Sequence, residues 1–128
     1  MFDWKKPTVQ MLGRWQPWHD GHQELFKRAI KKTGQVIIQV RDVHDAEDPD
    51  NPFDWNKVCG NIEKGLKKDG YKKGVDYEIM LVPNIVNITY GRKVGYLIEE
   101  ESFGKEIEAI SATKIRSISR SKKLTVLL

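Results

Sequence analysis

With a single cysteine, Cys59, the 128 residues cannot close an internal disulfide, which points mildly to a reducing compartment. No uninterrupted apolar run approaches the roughly 18–20 residues that span a bilayer, so a helical membrane span is not expected. The first residues, Met1-Phe2-Asp3-Trp4-Lys5-Lys6-Pro7, lack the apolar core and small-residue cleavage site of a signal peptide. The expected location is the cytoplasm. Internal repeats, low-complexity tracts and interdomain linkers are also missing, so residues 1–128 are expected to form one domain around one core. Histidine is scarce, at three residues, and two of the three stand close together.

Charge, by contrast, is abundant. Charged residues make up 31% of the chain, the formal net charge is +4 and the pI is about 9.1, a balance that favours anionic ligands. Basic residues gather in two places. Lys64, Lys67, Lys68, Lys72 and Lys73 read as a solvated face. Lys114, Arg116, Arg120, Lys122 and Lys123 follow a motif described below and are expected to face phosphate. The chain lacks the basic strands with interleaved aromatics of RNA-recognition modules, so nucleic acid is not the expected partner.

Hydrophobic periodicity gives an alternating order of elements. Thr8–Leu12 is a strand-like run stopped by Gly13, and Leu25, Phe26, Ala29 and Ile30 form one face of a helix ending at Gly34. Gln35–Val40 is a β-branched strand, and Asp54 caps a second helix bearing Trp55, Val58, Cys59, Ile62 and Leu66. Gly60 and Gly65 weaken that helix. Tyr77–Val82 is a third strand, Tyr96-Leu97-Ile98 a short fourth, and Ser111 opens a last helix with Ile115 and Ile118. The pattern predicts an α/β fold, a compact Rossmann-like parallel sheet flanked by helices.

The chemistry concentrates at two strand-to-helix junctions. The first is Gly13-Arg14-Trp15-Gln16-Pro17-Trp18-His19-Asp20-Gly21-His22. A helix start after a strand offers unpaired N–H groups and the positive end of a dipole, a natural phosphate site. Gly13 allows close backbone approach, and Pro17 stiffens the turn. On an opening helical turn His19 and His22 share a face, so two imidazoles and Arg14 can converge on one polyphosphate. The same spacing also suits two surface histidines or a pair of metal ligands. The second junction is Ile110-Ser111-Ala112-Thr113-Lys114-Ile115-Arg116, where two hydroxyls and a planar guanidinium suit phosphate oxygens.

The first string resembles the leading signature of the nucleotidyltransferase superfamily with the His-x-Gly-His hallmark, the cytidylyltransferase-like fold. Its form, Gly-Arg-x-Gln-Pro-x-His-x-Gly-His, is most similar to the nicotinamide-mononucleotide adenylyltransferase branch. The second string resembles that family's Ser-x-Thr-x-Ile-Arg motif. The resemblance implies nucleotide binding by Gly13, Arg14, Gln16, His19, Gly21, His22, Ile110, Ser111, Thr113 and Arg116, with His19, His22, Arg14 and Arg116 acting in catalysis. It implies transfer of a nucleotidyl group, adenylyl from ATP, to a phosphate-bearing small molecule with release of pyrophosphate. Mg²⁺ is expected to arrive on the nucleotide phosphates, with no protein side chain as a metal ligand.

Val82-Pro83-Asn84-Ile85-Val86-Asn87-Ile88-Thr89-Tyr90 is similar to the family's acceptor segment, with Tyr90 where a stacking Trp often stands. Arg41 and Asp42 end the second strand at the same rim. Arg41, Asp42, Asn84, Asn87 and Tyr90 are therefore the expected acceptor residues. Asn51-Pro52-Phe53 is similar to the family's Asp/Asn-Pro-Phe, but Asn56-Lys57-Val58 departs from the Glu-Arg that follows it there. The segment before the second signature is shortened, and little chain follows Arg116. A CTP-dependent cytidylyltransferase of the same superfamily and a non-catalytic nucleotide-binding module remain alternatives, and a homo-oligomer is left open.

Overall fold

The computed structural model describes residues 1–45, 47–92 and 95–101. Within them the order is β1 (Val9–Gly13), α1 (Asp20–Thr33), β2 (Val36–Arg41), α2 (Trp55–Lys68) and β3 (Tyr77–Val82). The three strands form one parallel sheet in the order β1-β2-β3, in a register that sets Val9 beside Val36 and Arg41 beside Val82. This is the expected alternating α/β plan, and each element lies within a residue or two of its sequence-based position. Strands laid down successively in one direction, each through a right-handed crossover, bring both helices to the same face of the sheet.

That face is the core. Along β2, Val36, Ile38 and Val40 are buried while Ile37, Gln39 and Arg41 between them are partly exposed, the period-2 signature of a sheet covered on one side. Phe26 and Ala29 of α1 and Val58, Ile62 and Leu66 of α2 close over them. Phe26 is fully buried, edge-on to Tyr71 and Tyr77 at 4.8 and 5.9 Å between ring centroids. Truncating such an aromatic typically costs about 3–5 kcal/mol.

The helix ends follow local rules. Gly34 adopts φ 89° and returns its N–H to the Ile30 carbonyl, a left-handed cap that glycine takes without a Cβ clash. Asp54 accepts from the Lys57 amide at 2.9 Å and starts α2. Gly65 is no simple weakness in that helix. A Cβ there would stand 3.1 Å from both Gln23 and Trp18, so its absence lets α1 approach α2. Gln23 occupies the seam. Its amide donates to the Gly65 carbonyl and to Asp69, both at 2.7 Å, and accepts from the Trp18 indole at 2.8 Å.

One expected element does not form. Tyr96, Leu97 and Ile98 are irregular, with 64%, 82% and 72% of their surface exposed. A strand needs a neighbouring edge, and among the described residues this run has none. Instead its acidic continuation lies along α1, where Glu99 and Glu101 pair with Lys32, and Glu101 also with Arg28. The helix expected from Ser111 lies outside the described residues. Among the described residues, no helix is long and apolar enough to cross a membrane.

Candidate nucleotide site

Beyond β1 the chain turns sharply through residues 14–19 before α1 begins. Trp15 takes a left-handed backbone, φ 53°, which costs a non-glycine residue roughly 1–2 kcal/mol and must be held by its surroundings. Gln16 does part of the holding. Only 2% exposed, its amide donates to the Phe53 carbonyl at 2.8 Å and accepts from the Phe53 N–H at 2.9 Å. Arg14 reaches the same neighbourhood and donates to Asn51 at 3.2 Å. The turn after β1 is thus tied to the residues just before α2.

His19 is the N-cap of α1, and His22 stands at the third position of the first turn. The Gly21 amide donates to His19 Nδ1 at 3.0 Å, and the His19 amide donates to His22 Nδ1 at 3.2 Å. The two rings stack, 3.7 Å between centroids and 20° from parallel. A ring nitrogen that accepts from a backbone N–H carries no proton itself, so each neutral imidazole holds its proton on Nε2. Both rings are then fixed Nε2–H donors.

Electrostatics agrees with this geometry. Burial, reinforced by the neighbouring His19, pushes the His22 pKa down to about 3. Burial also lowers that of His19, against the opposing pull of Asp20. Uncharged imidazoles donate a hydrogen bond to phosphate without carrying a proton that must be lost or gained.

Two hollows adjoin this turn. A groove of about 610 Å³ runs between α1 and α2, with His19 and Trp18 at one end and Lys27, Lys64, Lys68 and Asp69 along its walls. Lys64, Lys67, Lys68, Lys72 and Lys73 are all exposed, the solvated face that the lysine spacing suggests. The second hollow, about 20 Å³, lies at the carboxyl end of β2 and is lined by Gln16, Arg41, Asp42, Phe53, Trp55 and Leu81, among others. There Arg41 donates to Asn84 at 2.7 Å, while its Nε is buried without a hydrogen-bond partner.

Arg14, Gln16, His19, Gly21 and His22 therefore gather at the junction of β1 and α1, and Arg41 and Asp42 at the end of β2 beside Asn84, just past β3. Asn87 and Tyr90 are exposed and line neither hollow. Tyr90 keeps 53% of its surface exposed. Ile110, Ser111, Thr113 and Arg116 lie outside the described residues. Sequence reasoning missed Asn51 as the partner of Arg14, Trp55 beside Arg41, and Trp15 against His22. The Asn-Pro-Phe string was the available hint for the first. Among the described residues no group of three or more His, Cys, Asp or Glu side chains is placed to hold a metal ion.

No protein-family model matches the chain. Over 72 residues, 56% of this chain and 41% of the relative, it is 26% identical to the nicotinamide-nucleotide adenylyltransferase of Archaeoglobus fulgidus. It is 34% identical over 58 residues to that of Methanococcus aeolicus, 45% of this chain and 34% of the relative. A longer match, 26% identical over 83% of this chain and 75% of the relative, is with that of Sulfurisphaera tokodaii. The chain thus spans less than half the length of the first two of these curated relatives. Among solved structures it resembles a bifunctional NMN adenylyltransferase/ADP ribose pyrophosphatase from Francisella tularensis. The TM-score is 0.52 at 24% identity, covering 61% of this chain and 22% of that one. The chain is thus similar in sequence to nicotinamide-nucleotide adenylyltransferases, and its parallel α/β fold is like that of the solved structure over the matched part.

Proposed function

We propose that the chain transfers an adenylyl group from ATP to the phosphate of a small nucleotide-like acceptor, releasing pyrophosphate, in the cytoplasm. The observation that carries this reading is the stacked pair His19 and His22. Their Nδ1 atoms each accept a backbone N–H, which leaves the proton of each neutral ring on Nε2 at a strand-to-helix junction.

In the proposed reaction an acceptor phosphate oxygen attacks the α-phosphorus in line. A new P–O bond forms as the bond from the α-phosphorus to the β-phosphate oxygen breaks, and pyrophosphate leaves. The acceptor oxygen is ionised at neutral pH, so no general base is required, and positioning with charge neutralisation suffices. His19 and His22 hold the phosphates and meet charge on the transferring group. Arg14 and Arg116, with Ser111 and Thr113, hold the leaving pyrophosphate. Gly13, Gly21 and Ile110 join them in binding the nucleotide, and Gln16 fixes the turn. Mg²⁺ would arrive on the nucleotide phosphates and supply charge neutralisation there, while the N–H donors of Arg14, His19 and His22 would hold the phosphate oxygens. Arg41, Asp42 and Asn84 face the acceptor, with Asn87 and Tyr90 on the segment that follows.

The test is pyrophosphate release across the four nucleoside triphosphates, with nicotinamide mononucleotide first on a panel of phosphorylated acceptors. ATP with a nucleotide acceptor is the expected pair. CTP turnover at least as fast as ATP turnover would shift the reading to a cytidylyltransferase. Tight ATP binding without release on any acceptor would leave a nucleotide-binding module.

A further inference from the structure

Trp15 has no polar side-chain atom left for a ligand. Its one polar side-chain atom, Nε1, donates to the Gln39 carbonyl at 3.0 Å, and the residue is 6% exposed. The ring lies over Gly13 so closely that a Cβ there would stand 2.8 Å from two of its carbons. It meets His22 edge-on, 4.7 Å between centroids at 86°, and Trp18 at 5.2 Å. Trp18 leans on His22 at 5.5 Å and is itself pinned by Gln23. The His22 imidazole is thus enclosed by two indoles and the His19 ring.

Rotation of an imidazole about its terminal torsion is soft and nearly two-fold. Turned over, the His22 ring would present carbon where Nδ1 now accepts the His19 amide, and Nε2–H would swing away from the phosphates. The capping bond alone is one contact of 3.2 Å. We propose that Trp15 is a positioning residue for His22: anchored on the Gln39 carbonyl and seated on the bare backbone of Gly13, its indole fixes the plane in which Nε2–H points. The left-handed backbone at Trp15 follows, because that conformation folds the indole back over the strand it has just left. The role of the residue in catalysis rests on His22 facing phosphate, while its hold on the ring does not.

The test is Trp15→Leu in protein labelled with ¹⁵N at histidine, with Trp15→Phe and Gly13→Ala beside it. Folding is checked by far-UV circular dichroism and a cooperative thermal transition. The expected spectrum of Trp15→Leu shows His22 as a mixture of tautomers, against a single Nε2–H form in the unmutated protein. With ATP and acceptor, kcat falls by up to about 10²-fold, the scale set by small misplacements of a reacting group, while the ATP dissociation constant changes less than about threefold. Trp15→Phe, which keeps a ring but loses the anchor, falls between. Should Trp15→Leu not fold, Gly13→Ala displaces the ring without touching His22 and is expected to give the same spectral change in milder form. A single unchanged tautomer in the folded variants, even with reduced kcat, overturns the proposal. Absence of pyrophosphate release by the unmutated protein overturns the transferase reading instead, and the imidazole spectra still decide the hold of Trp15 on His22.

Discussion

The imidazoles of His19 and His22 lie face to face, 3.7 Å apart, and each accepts a backbone N–H through Nδ1. Two imidazolium ions at that separation repel, and either one would lose its capping bond, because a protonated Nδ1 cannot accept. Protonation of either ring weakens the pair.

Stability should therefore fall in mild acid. The His22 pKa drops from 6.5 to about 3 on folding, so between these values the unfolded chain binds the proton that the folded chain refuses. Its contribution is complete above about pH 6.5 and is lost progressively as the pH falls toward 3. At about pH 4.5 that amounts to roughly 2–3 kcal/mol relative to pH 7. In His22→Asn the side-chain oxygen can still accept the His19 amide but does not titrate, so the slope should flatten. Urea denaturation of both proteins across this range checks it, and parallel curves would refute the assignment.

For turnover, His22→Asn should lower kcat by about 10²–10³-fold, the usual loss of one preorganised donor, with ATP binding little changed. Arg116→Ala should weaken both, since a grip on the leaving phosphates acts before and during transfer. Equal losses of ATP affinity in the two variants would remove the distinction.

Gln23→Leu should destabilise the fold by about 2–3 kcal/mol, because it leaves the Trp18 indole N–H and the Gly65 carbonyl without their partner. A loss below about 0.5 kcal/mol in urea denaturation would mean that water replaces the amide.

Two glycines of α2 should respond in opposite directions to alanine. Nothing lies within 4 Å of a Cβ at position 60, so Gly60→Ala should gain the ordinary helix increment of about 0.5–1 kcal/mol. Gly65→Ala should lose stability, because Trp18 and Gln23, both buried, stand 3.1 Å away. Thermal midpoints of the two variants decide it, and a rise in both would show that the α1–α2 seam can yield.

The elements that were legible in the sequence are those with local causes. Gly34 stops α1, Asp54 caps α2, and the β-branched run at Val36–Val40 needs no distant information to read as a strand. Tyr96-Leu97-Ile98 is also an apolar run and stays irregular, because strand formation depends on an edge elsewhere in the molecule. The candidate site divides in the same way. A three-residue spacing on a helix start put His19 and His22 on one face. That Trp15 leans on His22 was not legible, because its anchor is a carbonyl of the next strand, 24 residues on. Gly65 misled for a related reason, since propensity sees its own helix and not the indole beside it.

The paired hydrogen bonds between Gln16 and Phe53 have a mechanical consequence. A side-chain amide offers Phe53 one donor and one acceptor side by side, so Gln16 imitates a strand neighbour and joins two loops that share no sheet. Displacing one loop must drag the other. A single residue inserted between Asn51 and Phe53 would shift Phe53 against Gln16, strain the clasp and loosen the turn after β1.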